Sequence, residues 1–229
     1  MVKTNEEIEK LKKASELADD CYNYIVKQIR IGMTEKEVAS LIDNYFLDHG
    51  ASKVSFETIV GSGPNSGTIH STPTDRVINY EDAVQLDFGC VLDGYCSDCS
   101  RVLFMGKVKP KYKEIYDIVY EAQIAGVEKT KVGMKACEVD AISRDIIKSH
   151  GYDFNHAVGH GVGVEVHEDP TISPKNENDI IENNMFITIE PGIYFENEFG
   201  IRIEDTCVVV DGKLEPLNKT TKEIVVINN

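Results

Sequence analysis

Apolar side chains recur through the first thirty residues at helical spacing: Ile8, Leu11, Ala14, Ala18, Cys21, Ile25 and Ile29. The stretch opens with Thr4-Asn5-Glu6-Glu7, in which Thr4 and Glu7 can satisfy each other's orphan backbone donors, so the pattern predicts an amphipathic helix with a defined start. Thr34 and Glu37 repeat that box ahead of Val38, Leu41, Ile42, Tyr45 and Phe46, and Gly50 supplies the stop. From about Val54 to Met105 the pattern shortens to strand-like pieces broken by Gly, Pro and Asn. Helical spacing returns after Pro110 with Ile115, Ile118, Val119, Ala122 and Ala125, and a fourth helix is predicted over roughly Lys135 to His150. Strand-like segments fill the remainder, among them Met185–Glu190 and Ile201–Val210.

The order is therefore helix, helix, strands, twice over. A shift of 101 positions lays Arg30–Gly50 on Lys131–Gly151, with six of the 21 positions identical. These are Gly32/Gly133, Met33/Met134, Glu37/Glu138, Val38/Val139, His49/His150 and Gly50/Gly151, which include both the entry turn and the exit of the helix. The expected fold is α+β, with two pseudo-symmetric helix-helix-strands halves whose strands join into one curved sheet with helices on one face. A site between the halves would draw residues from both. No low-complexity linker divides the chain, the polar stretch Asn176–Asn184 reads as a surface loop, and residues 1–229 are expected to form one domain.

Composition narrows the function. With 24 Lys plus Arg against 39 Asp plus Glu, the formal net charge is −15, which repels nucleic-acid phosphates. Apolar runs are far too short for a membrane helix, and the first thirty residues hold no apolar core of a secretory signal. The six cysteines (21, 90, 96, 99, 137 and 207) fit free thiols in the cytoplasm better than a disulfide framework. Cys96-Ser97-Asp98-Cys99 has redox-motif spacing, but it falls on a strand pattern and not at a helix start.

In Val84-Gln85-Leu86-Asp87-Phe88-Gly89, alternation puts Asp87 on the strand face opposite Val84, Leu86 and Phe88. Asp98 follows eleven positions later, as on the next strand of a hairpin turning at Asp93-Gly94. Each could simply cap a turn or lie in water, but Asp is depleted in strands, which favours a specific task for a mid-strand Asp. His156-Ala-Val-Gly-His160-Gly-Val-Gly-Val-Glu-Val-His167 packs three of the six histidines into twelve residues, interleaved with glycines. Glu190 ends an apolar strand at Pro191-Gly192, and in Ile201-Arg202-Ile203-Glu204 the two charged residues share one face. Asp87, Asp98, His160, Glu190 and Glu204 together give four carboxylates and one imidazole, which suits two divalent cations of the Mn²⁺, Co²⁺, Fe²⁺ or Zn²⁺ type. Paired cations that polarise a carbonyl perform metal-assisted hydrolysis.

These five positions, in the order Asp, Asp, His, Glu, Glu, resemble the pita-bread metallopeptidases over about Lys3 to Val210. The details are similar to the Xaa-Pro branch, proline dipeptidase and aminopeptidase P. They are the run from His156 through His167-Glu168 with Pro170 after it, Gly94-Tyr95-Cys96-Ser97-Asp98 with Ser100-Arg101, and Arg202 two before Glu204. The resemblance implies a pita-bread fold with one curved antiparallel sheet and two divalent ions, Mn²⁺ the first choice. Asp87 would chelate one ion, His160 and Glu190 the other, and Asp98 and Glu204 would bridge both. It further implies that Glu190 moves a proton to the leaving nitrogen and that His167 stabilises the oxyanion. His70 would touch the substrate, His156 line the proline side, and Arg202 orient Glu204 or the substrate; Tyr194 would bond a bridging ligand.

The expected substrate is a peptide with proline second, with no nucleic acid or membrane partner and with a homodimer left open. Full-length relatives of that branch carry a preceding domain; here Met1 stands directly before the first helix, so that domain is expected to be absent. The competing readings are a methionine aminopeptidase, disfavoured by Arg202 and the His167-Glu168 context, and a non-catalytic peptide-binding module on the same fold.

Overall fold

The computed structural model describes residues 1–228. Its helices are α1 (Asn5–Gln28), α2 (Glu35–Asp48), α3 (Pro110–Lys129) and α4 (Ala136–Ser149). Thr4 and Thr34 each cap their helix through the reciprocal bonds with Glu7 and Glu37 that the sequence predicts. The strands of the first half are β1 (Lys53–Val54), β2 (Ile59–Ser62), β3 (Ala83–Phe88), β4 (Cys90–Leu92), β5 (Tyr95–Cys96) and β6 (Cys99–Met105). Those of the second are β7 (Gly159–Gly161), β8 (Glu168–Ile172), β9 (Phe186–Ile189), β10 (Gly192–Phe195), β11 (Phe199–Arg202), β12 (Glu204–Val210), β13 (Lys213–Pro216) and β14 (Val225–Ile227).

The duplication is real in three dimensions. Helices α2 and α4 begin and end 101 positions apart. The turns before them match bond for bond. Gly32 N–H donates to the Ile78 carbonyl as Gly133 does to Ile181, and both glycines have positive φ, at 98° and 89°. In the main sheet the strands run β2-β3-β6-β12-β9-β7-β8, a palindrome about the β6–β12 seam before β8 is added. That seam is short: β6 and β12 register through Glu204↔Ser100 and Asp205↔Cys99. Beyond it the strands part, β12 pairing with β13 and β6 with β14, the latter in parallel and so an exception to the expected antiparallel sheet.

Each half has its own core. Val84, Leu86 and Phe88 pack with Ile25, Val38, Ile42 and Phe46 of α1 and α2, while Ile187, Ile189, Cys207 and Val209 pack with Ile115, Val119, Val139 and Ile147 of α3 and α4. Phe46 and Phe88 are 0% and 1% exposed; burying each contributes about 1.5–3 kcal/mol. Alternation then leaves Asp87 and Thr188 to face away from the helices.

Two local expectations need correction. The predicted strand over Ile201–Val210 is two strands broken at Ile203: Arg202 pairs with Gly192 in the β10–β11 ribbon, whereas Glu204 enters the main sheet. The chain changes sheets between them, which alternation cannot foresee. Asp98 does not lie on a hairpin strand. The Asp93-Gly94 turn joins β4 to β5 as expected, but Asp98 sits in the Ser97–Asp98 connection between β5 and β6.

Candidate metal centre

The four carboxylates converge from both halves onto the helix-free face. Asp87 comes from the next-to-last position of β3, Asp98 from the entry to β6, Glu190 from the exit of β9 and Glu204 from the first position of β12. His160, in the middle of β7, points its Nε2 at Asp98 Oδ2 (3.4 Å) and Glu190 Oε1 (3.3 Å). Ligand atoms of Asp98, His160 and Glu204 lie within 4.8 Å of one another, close enough to share an ion. Asp87 and Glu190 flank this trio. All five line one cavity of about 770 Å³, together with His70, His156, His167 and Arg202.

Outer contacts fix the cage. Ser100 Oγ donates to Glu204 Oε2 (2.8 Å) and accepts from Arg202 Nε (3.0 Å). Arg202 Nη2 is 2.5 Å from Asp87 Oδ2. The expected link from Arg202 to Glu204 is thus indirect, through Ser100, and its direct carboxylate partner is Asp87. Thr188 Oγ1 donates to Glu190 Oε1 (3.2 Å) and accepts from the His160 N–H (3.0 Å). Gln85 Oε1 accepts from the Arg202 N–H. Neither Gln85 nor Thr188 was singled out from the sequence. The available signal was position: each stands two before a cage carboxylate, which on a strand means the same face.

Tyr194 stands between Arg202 and His156. Its hydroxyl accepts from Arg202 Nη1 (2.8 Å) and faces His156 Nε2 (3.2 Å), so it backs the histidine. His156 Nδ1 donates to the Ala157 carbonyl, leaving Nε2 as the acceptor. His70 is exposed in the turn after the Gly63–Gly67 3₁₀ segment, and the His167 ring lies edge-on to His160 at 4.3 Å.

Burial sets the electrostatics. It raises Asp98 to about 6 and Glu190 to about 7, and drives Glu204 well above the carboxylate range, with the neighbouring carboxylates adding to each. At His160 burial opposes charging, but the Asp98 bond and the charges of Glu190 and Asp98 prevail and lift it to about 9. His156 drops to about 4, through burial and then the charge of Arg202; His167 is lowered by burial and then by the other histidines. A carboxylate cluster that holds protons this tightly lacks positive charge.

Divalent cations fit that deficit. Asp87 Oδ1 is buried with no hydrogen-bond partner, an arrangement costly for a carboxylate oxygen unless a cation meets it. His160 Nδ1 donates to the Gly161 carbonyl (3.0 Å), which leaves Nε2 for a metal, the usual second-shell arrangement of a ligating imidazole.

The model of metallopeptidase family M24 matches residues 9–211. A Xaa-Pro dipeptidase from Pyrococcus furiosus is 42% identical over 227 residues, 98% of this chain and 65% of that protein. Among solved structures, a Xaa-Pro dipeptidase from Bacillus anthracis superposes with a TM-score of 0.96 at 40% identity, covering 99% of this chain and 64% of that one. Aminopeptidase P from E. coli with the inhibitor Pro-Leu gives 0.88 at 29% identity, over 95% and 56% of the two chains. The chain thus spans somewhat less than two thirds of the length of these relatives, and the pita-bread fold is common to all of them.

Proposed function

The chain belongs to metallopeptidase family M24, and on that premise we propose that it hydrolyses the peptide bond between an N-terminal residue and a following proline. The observation that carries this reading is the convergence of Asp87, Asp98, His160, Glu190 and Glu204 on one cavity, with a buried Asp87 oxygen left unpartnered. Those five side chains would hold two divalent cations, Mn²⁺ by preference, with Co²⁺, Zn²⁺ or Fe²⁺ as alternatives for a donor set of oxygens and one nitrogen. Bound there, the cations would supply Lewis acidity, polarising the scissile carbonyl and easing proton loss from the attacking water.

The remaining steps fall to the protein. A bond before proline is a tertiary amide with no N–H to grip, so recognition has to come from the carbonyl and the ring. Glu190, anchored through Oε1 by Thr188, takes the water's proton and returns it to the proline nitrogen as that bond breaks. His167, held neutral by burial and its histidine neighbours, donates N–H to the oxyanion as it develops. His70 contacts the substrate, and His156, fixed by Ala157 and Tyr194, lines the proline side. Arg202 steadies Asp87 directly and Glu204 through Ser100.

We read the chain as one catalytic domain working in the cytoplasm on peptides, with no nucleic-acid or membrane partner. Among the described residues no helix is long and apolar enough to cross a membrane, and the six cysteines are unpaired. Hydrolysis of Ala-Pro, Gly-Pro and Ala-Pro-Ala with added Mn²⁺, against metal-stripped protein, tests the reading. Release of proline or Pro-Ala is the expected result. Turnover of Met-Ala-Ser instead would move the assignment to methionine aminopeptidase, and binding without turnover would leave a peptide-binding module.

A further inference from the structure

A lysine ahead of the first helix is buried against the far half of the molecule. Val2 bridges to Met185, and the Lys3 N–H donates to the Asn184 carbonyl (2.9 Å), which lays this segment along the approach to β9. Lys3 is only 6% exposed, and its Nζ lies 2.8 Å from Glu168 Oε2, a partner 165 positions away. Glu168 directly follows His167. Its other oxygen, Oε1, accepts from the Glu165 N–H (3.2 Å), so the carboxylate closes the loop that carries the histidine. The fit is close, because a Cβ at Gly163 would meet Glu168 Oε1 at 2.3 Å. Cys96 holds the same loop from the first half, its N–H donating to the Gly163 carbonyl (2.8 Å).

Nothing in the fold requires a charge at position 3. A buried ion pair gains little stability over a well-packed apolar pair, because both charges lose their hydration. What such a pair does supply is a fixed distance between two segments, and here one of them presents a side chain to the cavity. We propose that the Lys3–Glu168 ion pair positions His167. It clamps the Gly163–Glu168 loop to the segment before α1, so that the ring stays beside His160 at the cavity wall. Lys3 and Glu168 are positioning residues that touch no reacting atom, and the inference rests on the peptidase reading above.

The test compares Lys3→Met, Lys3→Arg and Gly163→Ala in the full, Mn²⁺-loaded chain. With Ala-Pro-Ala as substrate, Lys3→Met should lower kcat on the order of tenfold with KM and bound metal nearly unchanged, the penalty for a slightly misplaced group. Lys3→Arg should restore most of the rate. Gly163→Ala, which pushes on the carboxylate from the other side, should reproduce the loss. In a His167→Ala background Lys3→Met should have no further effect, since the clamp then has nothing to position. Amide hydrogen exchange over residues 163–168 should quicken in Lys3→Met, whether or not peptide is turned over. Losses that multiply in the double variant, or a lower melting temperature with unchanged kcat and loop exchange, would overturn the proposal. Absence of Xaa-Pro hydrolysis in the unaltered chain would instead defeat the peptidase reading, and loop exchange would still decide the clamp.

Discussion

The two halves of this molecule share a chassis and differ in what they put on it. Glu190 stands 103 positions after Asp87, as the first residue of β9 stands after the first residue of β3, so these two carboxylates occupy corresponding places. The third position differs. Gly161 faces Ile187 as Ser62 faces Val84, which makes Gly61 the counterpart of His160. A Cβ at Gly61 would meet the Asn65 carbonyl at 3.0 Å, because the 3₁₀ turn folds over the place where the second half sends an imidazole. The first half therefore gives the cage carboxylates alone, and the second half gives carboxylates and a nitrogen.

The halves also pin their histidine-bearing loops differently. Glu35, fully buried at the start of α2, accepts from Ser62, Asn65 and Thr74 and so holds the loop leading to His70. Its counterpart 101 positions on is Ala136. In α4 the task passes to Asp140, one turn later, which grips Arg144 and the Val158 N–H, while Arg144 bonds the carbonyls of Phe154 and His156. A duplicated scaffold has thus arrived at the same device, a buried carboxylate on the second helix, at two different helical positions.

Removing one cage carboxylate from each half is the strongest way to test their equivalence. Asp98→Ala and Glu204→Ala should each reduce activity to background and weaken Mn²⁺ binding by more than the roughly 10–100-fold that outer contacts are worth, measured by equilibrium dialysis. If only one does so, the cage is not shared between the halves. Next in size is Asp140→Ala, which strands the Arg144 guanidinium and should cost about 3–5 kcal/mol in a urea melt. Glu35→Gln keeps the shape of the first-half anchor and should cost less, about 1–3 kcal/mol.

His167→Ala has no first-half equivalent in the cage. It should keep its metal but lose ~10²–10³ in kcat, the usual worth of one oxyanion donor. Equal loss of metal would place His167 among the ligands.

The smallest effect is a pH dependence of the metal-free protein. Asp98, Glu190 and His160 all bind protons more tightly folded than unfolded, at about 6, 7 and 9. Their contribution to stability is complete below the unfolded values and is lost as pH rises through the folded ones. The metal-stripped protein should therefore melt at lower temperature between about pH 5 and 9, while Mn²⁺ affinity rises over the same range as the ligands give up their protons. A melting temperature that climbs with pH in metal-free protein would contradict the proton-holding cage.

The four helices, both capping boxes and the 101-position repeat were legible because they are local. They depend on periodicity and on bonds spanning three or four residues. The candidate ligands were legible too, since a carboxylate within an apolar strand or a histidine among glycines is conspicuous in one dimension. The Arg202 partner was not. Alternation along Ile201–Val210 assumes one strand, and the break at Ile203 sends Arg202 into the β10–β11 ribbon and toward Asp87. The contacts of Tyr194 with Arg202 and His156, and of Lys3 with Glu168, escaped for the same reason, since they are set by which segments lie side by side.

By itself, then, the sequence determined where helices start and stop, that the chain is built twice, and which side chains have metal-binding chemistry. Each of these follows from hydrophobic period, turn residues and functional groups within a few positions. Only the tertiary structure decided that β6 and β12 meet at two residue pairs, which carboxylate Arg202 holds, and that a lysine at position 3 reaches the loop of His167. Those outcomes depend on strand order and close packing between segments more than a hundred residues apart, and no local pattern encodes a distance of that kind.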